Sequence, residues 1–570
     1  MDPQPTGEGV PARSRANMTE EEKRALKEAK KAAKEAAKRE KAERKAAAAR
    51  AAAEASSKAQ ALVSGIEYLS INDEPSSAFG SYRVIQSKCP TAGSGRTFVS
   101  VSKLEGVTVG EQVWVRARVH KIVVTSQVAF VTLRRSLDTV QAVLEGKDLF
   151  KWARKNVTAE SIVDVYAKVS TPEGGRVEKC SVSTVELAAS KIYIVSRADE
   201  KLPMTLDDAA RPLGDTAGSD GEAGGEANEQ DGAITRPRVT RDTRLDARVV
   251  DLRVPAHGSL MRVQSGVCQL FREFLYAQGF TEIHSPKLIA GASEGGADVF
   301  ELSYFGRKAC LAQSPQLYKQ MAICGDFGRV FEIGPVFRAE KSHTHRHMCE
   351  FTGLDLEMEI FEHYNEILDV LDGMFVSIFD GLEKRYAKEL AVVRSKWNVR
   401  KFKYWTGKPN LRLKWPEAIE MLRGAGVEIG DFEDINTEKE KLLGKLVFEK
   451  YDTDFFMLTH FPSNIRPFYT MVDATDGRYS NSYDIMMRGE EIVSGAQRIH
   501  DVELLQVRAT AMLGEDGIAS IKDYVEAFKY GAAPHGGAGI GLERVVMLFL
   551  GIENIRECSL FPRDPQRLTP

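Results

Sequence analysis

Cysteine is scarce in this chain. Seven residues among 570, with no CxxC pair and no regular spacing, exclude both a zinc ribbon and a disulfide framework and point to a reducing compartment. No apolar run approaches the ~20 residues needed to span a bilayer. The opening residues, MDPQPTGEGVPARSR, lack the apolar stretch of a signal peptide, so a cytosolic protein is expected. No GxxxxGKS or GxxxxGKT occurs, and the glycines near the C-terminus do not fit the spacing of a dinucleotide fingerprint. The formal net charge of −3 says little, because basic and acidic residues are unevenly spread. At this length one core is too few, and two or three domains are expected.

What is present is centred on residues 330–359. Phe331, Ile333 and Pro335 interleave with Val330, Glu332 and Val336, and the run ends in Phe337-Arg338-Ala339-Glu340. After a polar turn, Asp355, Glu357 and Glu359 share one face and Leu354, Leu356 and Met358 the other. This pattern predicts two antiparallel strands joined by a loop. Arg338 and Glu340, two apart, would point the same way, under a loop carrying Lys341, His343, His345, Arg346 and His347. Planar guanidinium groups bind phosphates and carboxylates in bidentate fashion, so the stretch reads as a polyanion site without a glycine-rich phosphate loop. A surface hairpin with a solvated turn is the plain alternative. A metal site from His343, His345 and His347 is a third, although three histidines in a turn without a paired carboxylate or cysteine make a poor closed shell. A second segment supports the polyanion reading: Gly536-Gly537-Ala538-Gly539-Ile540-Gly541-Leu542-Glu543-Arg544 runs into an apolar helix at 545–550, placing another Arg at a helix start.

The rest of the chain falls into five parts. Residues 1–55 are a polar start followed by an Ala, Lys, Arg and Glu helix with an acidic, capped beginning at Thr19-Glu20-Glu21-Glu22. It has almost no large apolar residue, so it is expected to be solvated, as a phosphate-backbone binder or as a solubilising tail. Residues 56–94 read as a linker. Within 95–205, five alternating strands with a helix at 148–156 after the third follow the plan of an OB-fold barrel, whose open face takes single-stranded nucleic acid. Val113, Val115, Ala117 and Val119 face inward there, and Trp114, Arg116, Arg118 and His120 outward. Residues 206–240 begin with a Gly, Asp and Glu-rich stretch to 233, read as a flexible acidic insertion. Residues 241–570 hold an amphipathic helix at about 259–278, then strands at 467–471, 482–489 and 490–500 and helices at about 363–389 and from 540 on. Antiparallel strands backed by helices make this an α+β fold.

Phe337-Arg338-Ala339-Glu340 resembles motif 2 of the class II aminoacyl-tRNA synthetases, and Gly539-Ile540-Gly541-Leu542-Glu543-Arg544 resembles motif 3. Phe280-Thr281-Glu282-Ile283-His284-Ser285-Pro286 resembles motif 1, whose proline sits at a dimer interface. The segments SEGG, AQSPQLYKQ, FRAEKSHTHRHMCEFTGLDLEME, EEIVSGAQRIH and GIGLERVVM are similar to those of the aspartyl-tRNA synthetases of eukaryotic cytoplasm. The resemblance covers most of the chain from about residue 111. It implies ATP-dependent activation of L-aspartate to aspartyl-adenylate and transfer to the 3' end of tRNA(Asp), with magnesium as cofactor and a homodimer around Pro286. By resemblance, Arg338, Arg544 and Glu491 are catalytic. ATP would meet Arg338, Glu340, Arg346, His347, Met348, Glu491, Gly539, Ile540, Gly541, Leu542 and Arg544. Aspartate would meet Glu294, Gln316, Lys319, Arg338, Ser494 and Arg498, with Lys319 and Arg498 facing its side-chain carboxylate. Asp484 and Glu491 would hold the metal. Phe130, Gln141 and Glu186 would contact the anticodon, and the lysine-rich extension would help hold tRNA. The rival readings are an asparaginyl-tRNA synthetase, against which Lys319 argues, a non-catalytic tRNA-binding paralogue, and a free-standing OB-fold binder.

Overall fold

A computed structural model of the chain describes residues 20–64, 78–82, 96–126, 128–212, 239–290 and 299–570. It separates into two units, Met1–Glu200 and Lys201–Pro570. In the first, the helix Glu20–Ser64 is exposed at every residue whose burial is described. It runs past the expected end at 55 because SSKAQALV continues with helix formers and meets no Gly or Pro before Gly65.

The barrel of this unit consists of β1 (Phe79–Ser81), β2 (Gln112–Val124), β3 (Val128–Arg135), β4 (Asp138–Glu145), β5 (Ile162–Ser170) and β6 (Glu186–Ser196). Their order is β1-β6-β4-β3-β2-β5, and β5 also pairs with β6, closing five strands into an OB-type barrel. Val113, Val115, Ala117 and Val119 fill its interior with Val131, Leu133, Leu144 and Val165. The helix Lys147–Asn156, between β4 and β5, adds Leu149, Phe150 and Ala153 to that core. Two expectations need correction. Trp114 is not open to solvent but 5% exposed, with Tyr166 at 5.0 Å, Tyr193 at 6.1 Å and the Arg96 guanidinium 4.6 Å from its ring. Part of the stretch read as linker is ordered against the barrel: β1 pairs in parallel with β6, and the Tyr82 hydroxyl accepts from Arg96.

The second unit is built on β7 (Thr281–Glu282), β8 (Leu288–Ile289), β9 (Glu301–Tyr304), β10 (Arg307–Leu311), β11 (Arg329–Phe337), β12 (Glu350–Glu359), β13 (Leu411–Lys414), β14 (Phe455–Thr459), β15 (Ser482–Met487), β16 (Glu490–Gln497) and β17 (His535–Gly541). Eight of these form one sheet in the order β13-β14-β15-β16-β17-β12-β11-β7, antiparallel except at its two edges. Leu354, Leu356, Met358, Ala538, Ile540 and Val493 join the helices Pro255–Ala277, Asn365–Arg385 and Leu542–Phe549 in the main core. The opposite face carries Asp355, Glu357, Gly537, Gly539 and Gly541.

Four further sequence readings are revised here. The Gly536–Gly541 run is not an approach to a helix but strand, and the helix begins at Leu542. Residues 467–471 form no strand; Thr470 makes one bridge to Arg498. The helix expected at 363–389 is two, Asn365–Arg385 and Ala387–Trp397, joined at Tyr386. Within the stretch read as flexible insertion, Leu206–Ala210 is a short helix capped by Thr205, with Leu206 and Ala209 buried against Val254 and Met204. No helix among the described residues is long and apolar enough to cross a membrane.

Candidate active site

Register explains why a cavity opens on one face of the large sheet. Pairing places Glu332, Asp355, Gly539, Ser494 and Asp484 in one row across β11, β12, β17, β16 and β15. A neighbouring row holds Glu357, Gly537 and Ala496. Side chains in such rows stand on the same face. At Gly537 a Cβ would fall 2.1 Å from the Leu356 carbonyl oxygen and 2.3 Å from Glu357 Oε2. The glycine is therefore what lets the Glu357 carboxylate lie across the sheet. Gly495 likewise leaves room for the Tyr483 ring, 2.3 Å from where its Cβ would stand.

The resulting cavity, about 350 Å³, is lined by residues the sequence singled out: Arg338, Glu340, Arg346, His347, Met348, Gln316, Glu491, Ser494, Arg498, Gly539, Ile540, Gly541 and Arg544. Arg338 and Glu340 lie just beyond the end of β11 at Phe337, not on it, with Nη1 and Oε1 4.0 Å apart. Arg338 stands 5.5 Å from the Phe351 ring. Leu542 points the other way, into the helix-side core.

Arg498, 3% exposed, donates from Nε to Glu357 Oε1 at 2.8 Å and from Nη2 to the Gly537 carbonyl at 3.0 Å and Gln316 Oε1 at 3.3 Å. Its Nη1 has no partner among the described residues. Burial alone would raise the pKa of Glu357, but Arg498 and Lys319 beside it hold it below the ordinary carboxylate value. Lys319, expected to meet the substrate carboxylate, stands directly behind two acids, one of which lines the cavity. Its ammonium donates to Asp355 Oδ1 at 3.1 Å and to the carbonyls of Ala538 and Leu356, lies 3.3 Å from Glu357, and does not line the cavity. Asp355, in the sequence one of three acids on a strand face, does line it.

Arg544 donates from Nη1 to the Glu491 carbonyl at 3.0 Å and from Nη2 to that of Arg346 at 3.4 Å. Burial lowers its pKa, with the Arg346 and Arg338 charges acting the same way against Glu491. Asp484 does not line the cavity and is ion-paired at 2.9 Å to Arg466, a residue the sequence reading missed, whose Nη1 also donates to Ser494 Oγ at 2.9 Å. Burial pushes the Asp484 carboxyl up to about 7, the nearby Glu491 adds to the rise, and Arg466 opposes it. The Asp484 and Glu491 carboxylates are hard oxygen donors of the kind a divalent cation shared with phosphate oxygens takes, which needs only one or two of them from the protein. The three histidines part company: His343 is 3.6 Å from Asp564, His345 3.2 Å from Glu490, and His347 bonds Thr344 at 2.5 Å. Among the described residues no cluster of three metal-ligating side chains occurs. Glu294 lies outside the described residues.

Also missed were Phe351, Tyr469, Thr470, Gln313, Ser314 and Glu543, all on the cavity wall. Glu543 accepts twice from the Thr352 amide, at 3.1 and 3.2 Å, and burial pushes its carboxyl up to about 7. It was visible only as part of a motif string. On the barrel, Gln141 donates to Glu186 Oε2 at 3.0 Å. Phe130 lies two residues along β3 from Thr132, the cross-strand partner of Gln141, so the three share one half-buried outer face.

The family model described as tRNA synthetases class II (D, K and N) matches residues 240–565, and that described as OB-fold nucleic acid binding domain matches 113–195. The chain is 50% identical over 480 residues to a Homo sapiens protein named aspartate–tRNA ligase, cytoplasmic, covering 83% of this chain and 92% of the relative. A solved aspartyl tRNA synthetase from Entamoeba histolytica superposes with a TM-score of 0.77 at 42% identity, over 87% of this chain and 97% of that one. Asparaginyl-tRNA synthetase from Pyrococcus horikoshii, complexed with asparaginyl-adenylate, reaches 0.67 at 28% identity, over 81% and 96%.

Proposed function

The chain belongs to the cytoplasmic aspartate–tRNA ligases, class II aminoacyl-tRNA synthetases that use ATP as substrate, and we propose that the cavity on its large sheet is where L-aspartate and ATP meet. The observation that carries this reading is the gathering of Arg338, Arg346, Arg498 and Arg544 around one space of about 350 Å³. Two anionic substrates repel each other in water, and fixed guanidinium groups in a water-poor cleft offset that repulsion without reorganising.

In the first step an aspartate α-carboxylate oxygen bonds to the α-phosphorus and the bond to pyrophosphate breaks. The substrate supplies the nucleophile, so the protein positions and neutralises. Arg338 bridges the α-carboxylate and α-phosphate. Glu340 and residues 346–348 hold the adenine and phosphates, and Arg544 clamps the γ-phosphate. The side-chain carboxylate of aspartate takes the Nη1 side of Arg498, while Gln316, Ser494 and Glu294 complete the amino-acid site. Lys319 keeps this end cationic by neutralising Asp355 and Glu357. Asparagine offers Arg498 a neutral amide and is bound less well. In the second step a hydroxyl of the tRNA terminal ribose attacks the aspartyl carbonyl and AMP leaves. Glu491 and Asp484 would hold magnesium, which when bound neutralises triphosphate charge.

For tRNA(Asp), Phe130, Gln141 and Glu186 read anticodon bases by stacking and hydrogen bonding, and the basic helix before the barrel adds salt-sensitive affinity. A second copy docks around Pro286, which is exposed in the single chain. The asparaginyl reading is not favoured at 28% identity against 50%. ATP–pyrophosphate exchange tests the assignment: exchange that requires aspartate and magnesium, followed by aspartylation of tRNA(Asp), is expected. Exchange supported equally by asparagine would refute it.

A further inference from the structure

We infer that Glu440 and Thr437, in the first turn of the helix Thr437–Tyr451, are positioning residues that hold the Arg346 guanidinium ready for the ATP polyphosphate; this rests on the reading of the cavity above. Arg346 Nη1 donates to Glu440 Oε2 at 2.7 Å and Nη2 donates to Thr437 Oγ1 at 2.7 Å. The Arg346 and Glu440 side chains are 16% and 14% exposed. Arg346 lines the cavity, and its Nε has no hydrogen-bond partner among the described residues. Both terminal nitrogens of the guanidinium are thus held by one helix turn while the residue lines the cavity.

The grip is itself anchored. Asn436 caps the helix, its side chain accepting from the Lys439 amide at 3.0 Å. Glu490 ties the same helical turn to the same loop a second time, 3.4 Å from Lys441 and 3.2 Å from His345. An unheld arginine loses its rotamer freedom on meeting phosphate, whereas a held one has little left to lose. No motif pointed to this helix, because the partners lie 94 and 91 residues apart in sequence.

A competing effect has the opposite sign. Glu440 also lies near Glu491 and Arg544, so its charge, where ionised, repels a triphosphate, and removing it could tighten ATP binding. Glu440→Ala removes tether and charge, while Glu440→Gln removes the charge and keeps an acceptor. ATP–pyrophosphate exchange on the full chain, with ATP and aspartate varied separately, distinguishes them. Arg346→Ala and Glu440→Ala are each expected to raise the KM for ATP about tenfold with the KM for aspartate unchanged, as loss of an orienting partner does elsewhere. The double variant is expected to be no worse than Arg346→Ala alone, since the tether acts only through that arginine. Glu440→Gln should stay within about threefold of the parent. If Arg346→Ala raises the KM for ATP but Glu440→Ala leaves it unchanged or lowers it, the positioning role is overturned while the cavity reading stands. Multiplied effects in the double variant, or equal rises in both KM values, would make Glu440 merely structural and overturn the proposal. An unchanged KM for ATP in Arg346→Ala would overturn the cavity reading and this inference with it.

Discussion

The cavity meets its arginines at opposite ends of one strand, and the two ends are built differently. Arg498 follows β16 and is fixed by a buried carboxylate, a strand carbonyl and a glutamine. Arg544 and Arg346 meet the start of β16, where they bond backbone carbonyls and the first turn of a separate helix. The first arrangement is rigid because two of its three partners, Glu357 and the Gly537 carbonyl, belong to the sheet and cannot move alone. At the second, the hold on Arg346 can yield, because Glu440 and Thr437 sit at a helix end, and Arg544 has one strand partner, the Glu491 carbonyl, its other being the loop carbonyl of Arg346. A recognition group for a small amino acid gains from the first design. A clamp that must close on a long triphosphate and later release pyrophosphate gains from the second.

The sharpest way to break this contrast is Arg498→Leu. Aspartate-dependent exchange should fall on the order of a thousandfold, the equivalent of ~4 kcal/mol for a broken buried charge pair. Lys319 still neutralises Glu357, so circular dichroism should report a folded chain; an active variant would show that the rigid end does not select the amino acid. Next in size, Arg544→Ala should lower exchange about a hundredfold, ~3 kcal/mol, with the loss read in ATP rather than aspartate kinetics. Equal losses for both substrates would erase the distinction between the ends.

A smaller effect concerns stability. Burial raises the Glu543 carboxyl to about 7 in the folded chain, from an ordinary value of 4.5. The folded state therefore keeps this proton where the unfolded state loses it, and stability falls as pH rises from about 4.5 through 7. Glu543→Gln removes that dependence. Measured by denaturant unfolding, the variant should gain up to about 3 kcal/mol on the parent between pH 4.5 and 8. A constant difference between the two across that range would show that burial does not hold the proton. The smallest change is expected from deleting residues 1–55. The KM for tRNA should rise a few-fold at physiological salt, through lost phosphate contacts, with exchange unaltered. An unchanged KM would leave the exposed helix a solubilising tail.

The hairpin of β11 and β12 was legible because alternation reports a half-buried strand directly, and the barrel was legible for the same reason. Beyond alternation, the reading depended on resemblance. Gly536–Gly541 could not be recognised as strand, since glycine has no side chain to show a period and the reason for it, Glu357, lies on a neighbouring strand. Trp114 was misplaced because Arg96, which lies over its ring, comes from a stretch with no pattern of its own, and Tyr166 and Tyr193 come from strands far along the chain. The Arg466 partner of Asp484 was invisible for a similar reason: it sits in an irregular loop, and the pairing is set by tertiary structure. That Asp355 and Glu357 are neighbours of the Lys319 ammonium was not legible either, because alternation shows them only as a face.

Calorimetric titration with a non-hydrolysable aspartyl-adenylate analogue, set against its asparaginyl counterpart, tests most directly whether fixed guanidinium groups select an anionic side chain. The aspartyl analogue should bind at least about a hundredfold more tightly, and Arg498→Leu should remove the difference. Equal affinity for the two analogues in the parent chain would contradict the account.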